Sequence, residues 1–150
     1  QTVSWVIIDR IIKLEGDGMN MSDTITLNYY NSNAAVFSET TKNVDFSEVQ
    51  QIFIKHLSTD ASILDFGCGS GRDTKYFLDQ GYYVTEIDGS EEICKMATEY
   101  TGIQVKQILF EEFARQISGL QIEKMWITGD VREGRGDERW LNILLRKTDI

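Results

Sequence analysis

The chain of 150 residues has no proline, a single histidine and only two cysteines. Without proline, one common marker of loops and linkers is gone, so boundaries must be read from glycine and charge. Cys68 and Cys94 have no CxxC spacing. This argues against a disulfide framework or a cysteine metal site and fits a reducing cytosol. His56 has no second histidine or cysteine cluster to join, so it reads as a surface or boundary residue rather than a metal ligand. Cys68 has no histidine paired with it by sequence and reads as a small residue that fits its turn, not a nucleophile. Basic residues are also scarce. Fifteen Lys and Arg stand against 24 Asp and Glu, for a net charge of −9. No basic field is available to collect phosphates, which argues against a nucleic-acid binder. No run is long and apolar enough to span a membrane. The apolar stretch 3–14 is short and carries Asp9, Arg10 and Lys13, so it does not read as a signal peptide. A cytoplasmic protein with no nucleic-acid or membrane partner is expected.

What remains is enough for one domain with a real core. Residues 1–18 form an N-terminal arm whose periodicity fits a strand (Val3, Trp5, Ile7) and a helix (Trp5, Ile8, Ile12) equally well. Gly16-Asp17-Gly18 is a turn, and residues 19–150 read as the domain proper. One or two short helices are expected over 22–41. Asp45-Phe46-Ser47-Glu48 resembles a capping box, with Asp45 as the cap and a helix stripe of Val49, Ile52, Phe53 and Leu57 running to about residue 58.

Ser62–Phe66 is nearly all apolar and suits a parallel strand buried on both faces. A helix follows from Arg72, stopped by Gly81. The next strand spans 82–87, and Ser90 caps a helix that Gly102 ends. A third strand is expected over 105–110. Alternation of helix and strand predicts a parallel sheet with crossovers. Phe113 and Ile117 suit a short helix. Two alternating runs then follow: Leu120, Ile122, Trp126 and Thr128, and after a charged, glycine-rich loop, Leu141, Ile143 and Leu145. They predict an antiparallel pair with Trp126 and Trp140 as core or pairing residues. Arg132, Arg135 and Arg139 are interleaved with Glu133, Asp137 and Glu138 and read as a solvated, salt-bridged loop.

The chemistry concentrates in Asp65-Phe66-Gly67-Cys68-Gly69-Ser70-Gly71-Arg72-Asp73. Three glycines in five positions let backbone pass close under a ligand. A dinucleotide fingerprint would read Gly-x-Gly-x-x-Gly; here the glycines fall one residue tighter, which suits a nucleoside with no pyrophosphate to cradle. Asp88 ends the next strand, placed to accept from ribose hydroxyls, and Asp65 could take a cationic amino group. Read blandly, Asp65 is a polar strand end, Asp88 a turn residue and the glycines a tight turn. Their combination with the strand–helix–strand context favours the nucleoside reading.

These residues, with Val84-Thr85-Glu86-Ile87-Asp88-Gly89-Ser90, resemble a class I S-adenosylmethionine-dependent methyltransferase of the bacterial small-molecule type. Tyr29-Tyr30-Asn31 and Thr41-Lys42-Asn43-Val44-Asp45 upstream, and 126–132 with 139–147 downstream, extend the likeness over about residues 21–147. The resemblance implies a Rossmann-like α/β fold, S-adenosylmethionine as cofactor and a small-molecule acceptor. It implies that Asp65, Gly67, Gly69 and Gly71 surround the methionine end, that Asp88 holds the ribose, that Phe110 and Glu111 border the adenine, and that Tyr30 closes over the ligand. Arg72 and Gly89 complete the cofactor-binding set.

The likeness breaks after Glu111. Such enzymes continue with a fourth strand, a helix, a fifth strand and another helix before the final hairpin; here the hairpin follows almost directly. The expected fold is therefore truncated: three parallel strands plus a C-terminal antiparallel hairpin. The first parallel strand loses its usual neighbour. Either the hairpin moves in, the arm supplies a strand over 3–8, or a second copy pairs there, and a homodimer is expected as the easiest cover. Three functions are open: a methyltransferase of unknown acceptor, a non-catalytic remnant that binds cofactor or forms an assembly, and a nicotinamide-binding domain. Against the last stand the tight glycine spacing and the lack of a catalytic pair.

Overall fold

The computed structural model describes residues 4–11, 22–109, 112, 120–129 and 139–147. The chain runs β1 (Ser4–Ile11), α1 (Ser22–Thr41), α2 (Ser47–Ile54), β2 (Ser62–Phe66), α3 (Arg72–Asp79), β3 (Tyr83–Asp88), α4 (Glu91–Thr101), β4 (Lys106–Gln107), β5 (Leu120–Gly129) and β6 (Arg139–Lys147). All strands join one sheet in the order β4-β3-β2-β1-β6-β5. β2, β3 and β4 run parallel with helices between them, and β5 with β6 forms the antiparallel pair. Among the described residues no helix is long and apolar enough to cross a membrane.

The neighbour missing beside β2 is supplied by the arm. β1 pairs with β2 in parallel, from Ser4↔Ser62 to Ile8↔Phe66. Its other side pairs antiparallel with β6, from Trp5↔Arg146 to Ile11↔Trp140. Two of the three expected covers therefore act together: the arm enters the sheet and the hairpin docks onto the arm. The strand-or-helix ambiguity of the arm has a tertiary answer. The unpaired N–H and C=O groups of β2 and β6 need partners, and a run rich in Val6, Ile7, Ile8 and Ile11 suits a strand.

Several boundaries differ from expectation. Residues 22–41 form one continuous helix. Phe46, not Asp45, is the N-cap of α2. The Asp45 carboxylate instead accepts the Ser47 N–H at 3.0 Å, a bond that holds its pKa below the usual carboxylate value. α2 stops at Ile54, not near 58, because His56 and Leu57 bond three residues back, to Phe53 and Ile54, and tighten the last turn. β4 is two residues long rather than six, and ends with the Ile108 N–H on the Asp88 carbonyl at 3.0 Å. The expected helix over 113–117 lies outside the described residues. Gly81 and Gly102 end their helices with positive φ, and the Ser90 hydroxyl accepts the Ile93 N–H at 3.3 Å as the cap of α4.

The core lies on one face of β2 and β3. Phe53 of α2, Phe77 of α3, Ala61 and Ile63 are buried together, with Val84 against them. The rings of Phe53 and Phe77 meet edge-to-face at 6.5 Å. Asp65 and Glu86 are register partners on this same face, one step nearer the carboxyl end of the sheet. His56 is exposed beside this cluster, its Nε2 3.5 Å from Lys124 Nζ.

Candidate ligand-binding site

The glycine turn hangs from the end of β3. The Gly67 and Cys68 N–H groups both donate to the Ile87 carbonyl, at 2.8 and 3.1 Å. Gly71 N–H closes the turn on the Cys68 carbonyl at 3.0 Å, and the Gly71 carbonyl accepts from Lys75 to start α3. Gly67, Gly69 and Gly71 take φ of 77°, 56° and 79°, the left-handed region that side chains rarely enter. At Gly71 space forbids a side chain as well: a Cβ there would lie 2.5 Å from Thr101 Cγ2 and 3.1 Å from Glu86 Oε1.

Asp88 meets the turn as the sequence predicts. Its Oδ2 accepts the Gly69 N–H at 3.1 Å and its Oδ1 the Ser90 N–H at 2.9 Å. A carboxylate offers roughly four acceptor sites, so these bonds leave it acceptor capacity. Burial raises the Asp88 pKa, opposed by the N–H groups of Ser90, Gly69 and Gly89. Gly89 stays narrow because a Cβ there would lie 3.1 Å from Leu27 and 3.5 Å from Leu109.

Asp65 is brought to the same place but faces inward. It is buried, and its Oδ2 accepts the Thr74 hydroxyl at 2.7 Å, which ties the end of β2 to the first turns of α3. Arg72 grips its neighbour Asp73 through two contacts, at 2.8 and 3.2 Å, and its guanidinium lies 4.0 Å over the Phe46 ring. Gln50 of α2 also donates to Asp73, at 2.6 Å. Arg72 thus anchors the start of α3 to α2. Phe110 and Glu111, expected at the adenine, lie outside the described residues.

α1 forms the roof. Phe37 packs over Gly69, where a Cβ would stand 3.2 Å from its ring. Tyr30 packs edge-to-face on Phe37 at 5.2 Å and on Tyr29 at 5.6 Å. Asn31 Oδ1 accepts the Ser90 hydroxyl at 2.6 Å and the Glu92 N–H at 3.3 Å, fastening α1 to the start of α4. Tyr30 therefore sits on the element that covers the turn. Leu27 and Phe37 were not picked out from sequence; their spacing is that of any helix stripe, and only packing reveals that they meet the glycines.

Glu86 was also missed. It is fully buried, and Thr101 donates to its Oε2 at 2.8 Å. Its Oε1 has no hydrogen-bond partner. Burial pushes its pKa up to about 7, against the pull of Thr101, Thr74 and Cys68. A charged residue inside the apolar strand Val84–Ile87 was the available signal. Cys68 and Cys94 are buried near these acids. Burial raises both thiols, Cys94 to about 11, so neither is a thiolate near neutral pH. Among the described residues, no group of three or more His, Cys, Asp or Glu could hold a metal ion.

A family model described as a methyltransferase domain matches residues 64–119. The match takes in the glycine turn, α3, β3 and α4. No curated protein matches the chain. The chain therefore carries a methyltransferase-domain-like segment on a sheet of α/β type.

Proposed function

We propose that the chain binds S-adenosylmethionine across the Gly67–Gly71 turn and Asp88, and passes its methyl group to a small-molecule acceptor. The observation that carries this reading is the Asp88 carboxylate held beside the glycine turn by Gly69 and Ser90, inside the segment matched as a methyltransferase domain. The ribose hydroxyls would donate to that carboxylate. Gly67, Gly69 and Gly71 keep backbone close to the methionine end, Asp65 fixes the turn through Thr74, and Tyr30 and Phe37 shield the site from water. The cofactor supplies a methyl group on a sulfonium. Transfer from it needs placement and exclusion of water more than a dedicated base.

A second reading is favoured by the connection after β4. Only the residues between Ile108 and Leu120 link the parallel strands to the hairpin, too few for the strand–helix–strand–helix run of the enzymes it resembles. On that reading the chain is a remnant that binds cofactor without turnover or serves assembly. A homodimer and a cytoplasmic setting belong to the proposal. Since β1 already covers β2, a second copy would add at the outer strands, β4 or β5.

Calorimetric titration with S-adenosylhomocysteine tests the binding claim. Saturable binding that Asp88→Ala abolishes, with the far-ultraviolet spectrum intact, supports it. Binding that survives Asp88→Ala, or none at all, refutes it. A methyl-transfer assay over candidate acceptors then separates enzyme from remnant.

A further inference from the structure

Glu86 has no role in the site as drawn above, yet its placement is costly. A fully buried carboxyl with one oxygen lacking a hydrogen-bond partner requires a reason. Oε1 lies directly beneath Gly71, the last residue of the turn and the N-cap of α3. Oε2 is held by Thr101, whose hydroxyl also bonds the Ala97 carbonyl of α4 at 2.9 Å. The side chain is thus a prop between α4 and the underside of the turn.

The titratable groups around it are all acids or thiols. Asp65 faces it from β2 as its register partner, and Asp88 follows on β3. Cys68 of the turn and Cys94 of α4 lie close enough for Glu86 to raise their thiol pKa values. Thr101 of α4, Thr74 of α3 and Cys68 are uncharged neighbours whose hydrogen bonding favours the ionised form, and burial outweighs them. A negative charge on Glu86 is therefore costly because the side chain is fully buried, and a proton removes that cost.

We propose that Glu86 is a proton-dependent positioning residue for the ligand turn: carrying a proton, it supports Gly71 from below and keeps Gly67–Gly71 competent to bind, and ionised, it disrupts that support. The inference rests on the ligand reading of the turn given above. It is also consistent with the upward push on the Glu86 carboxyl that burial produces.

The test is affinity against pH. S-adenosylhomocysteine is titrated calorimetrically into the full chain from pH 5.5 to 8.5, with wild type and Glu86→Gln side by side. The amides of Gly69 and Gly71 are followed by NMR over the same range without ligand. Wild type should lose affinity as pH rises past about 7, by up to about tenfold per unit. Glu86→Gln should lack that dependence and bind more tightly than wild type at pH 8.5. The Gly69 and Gly71 resonances should titrate with the same midpoint in wild type and stay still in the variant. Parallel affinity profiles in the two proteins overturn the proposal, because Asp88 rather than Glu86 would then be the titrating group. If neither protein binds the probe at any pH, the ligand reading fails. The NMR titration still decides the prop itself: a Gly71 midpoint abolished by Glu86→Gln upholds it, and resonances that do not move refute it.

Discussion

Gly71→Ala separates two costs that the structure combines at one residue. The backbone there has φ of 79°, and the added Cβ would lie 2.5 Å from Thr101 Cγ2. Holding an L-residue in the left-handed region costs about 1–2 kcal/mol. Forcing a methyl into a filled space adds about 1–3 kcal/mol. Gly102 isolates the first cost. Its φ is 80°, almost the same, but a Cβ there meets nothing within 4 Å. Gly102→Ala should therefore cost about 1–2 kcal/mol, and Gly71→Ala about 2–5 kcal/mol.

Thr101→Ser isolates the second cost. It deletes the offending Cγ2 but keeps the hydroxyl that holds Glu86 and the Ala97 carbonyl. Alone, losing this partly buried methyl should cost at most about 1 kcal/mol. In the Gly71→Ala background it should be neutral or stabilising, a coupling of about 1–2 kcal/mol. Relief will be incomplete, since Glu86 Oε1 still stands 3.1 Å away. Urea unfolding followed by far-ultraviolet circular dichroism gives all four corners of the cycle. Equal losses for Gly71→Ala and Gly102→Ala, or additive effects of the two substitutions, would refute the packing account of the turn.

Two further outcomes follow from the same physics. The pKa of Glu86 is raised from the ordinary 4.5 to about 7 in the fold. Its favourable contribution is thus complete below pH 4.5 and is lost as pH rises through 7. Across that interval wild type should lose up to about 3 kcal/mol relative to Glu86→Gln, with no further divergence above pH 7; unfolding curves at pH 5, 6, 7 and 8 read this directly, and a constant difference would contradict the buried-acid account. Deleting residues 4–11 strips the partner from both β2 and β6, so protected amides in β2 should exchange freely and the protein should self-associate; unchanged exchange in β2 would show that β1 is not what covers it.

Much of the frame was legible because it is written locally. The apolar run at Ser62–Phe66, the cap at Ser90 and the helix stops at Gly81 and Gly102 depend on neighbours a few residues away. So do the paired alternations of the hairpin. The meeting of Asp88 with Gly69 was readable too, because parallel strands joined by a short crossover bring their carboxyl ends together. What escaped depends on tertiary partners. Periodicity left the arm between strand and helix; the open edge of β2 decided. The contacts of Phe37 with Gly69 and Leu27 with Gly89 depend on how α1 crosses the sheet end. Glu86 looked like an ordinary polar member of a strand until its face proved to be the covered one. The short β4 reflects an edge position, where Lys106 and Gln107 are exposed and only one partner strand rewards extension.

The register of β1 also bears on how β2, the strand that leads into the glycine turn, is held in the sheet. β2 ends at Phe66, paired with Ile8, while β1 continues through Asp9, Arg10 and Ile11, paired to β6. The overhang therefore extends beyond the pairing with β2, and its partner there is β6. A strand that merely capped an exposed edge could have stopped at Ile8. One that continues past it carries the hairpin with it. β1 thus supplies hydrogen-bond partners to β2 on one side and to β6 on the other.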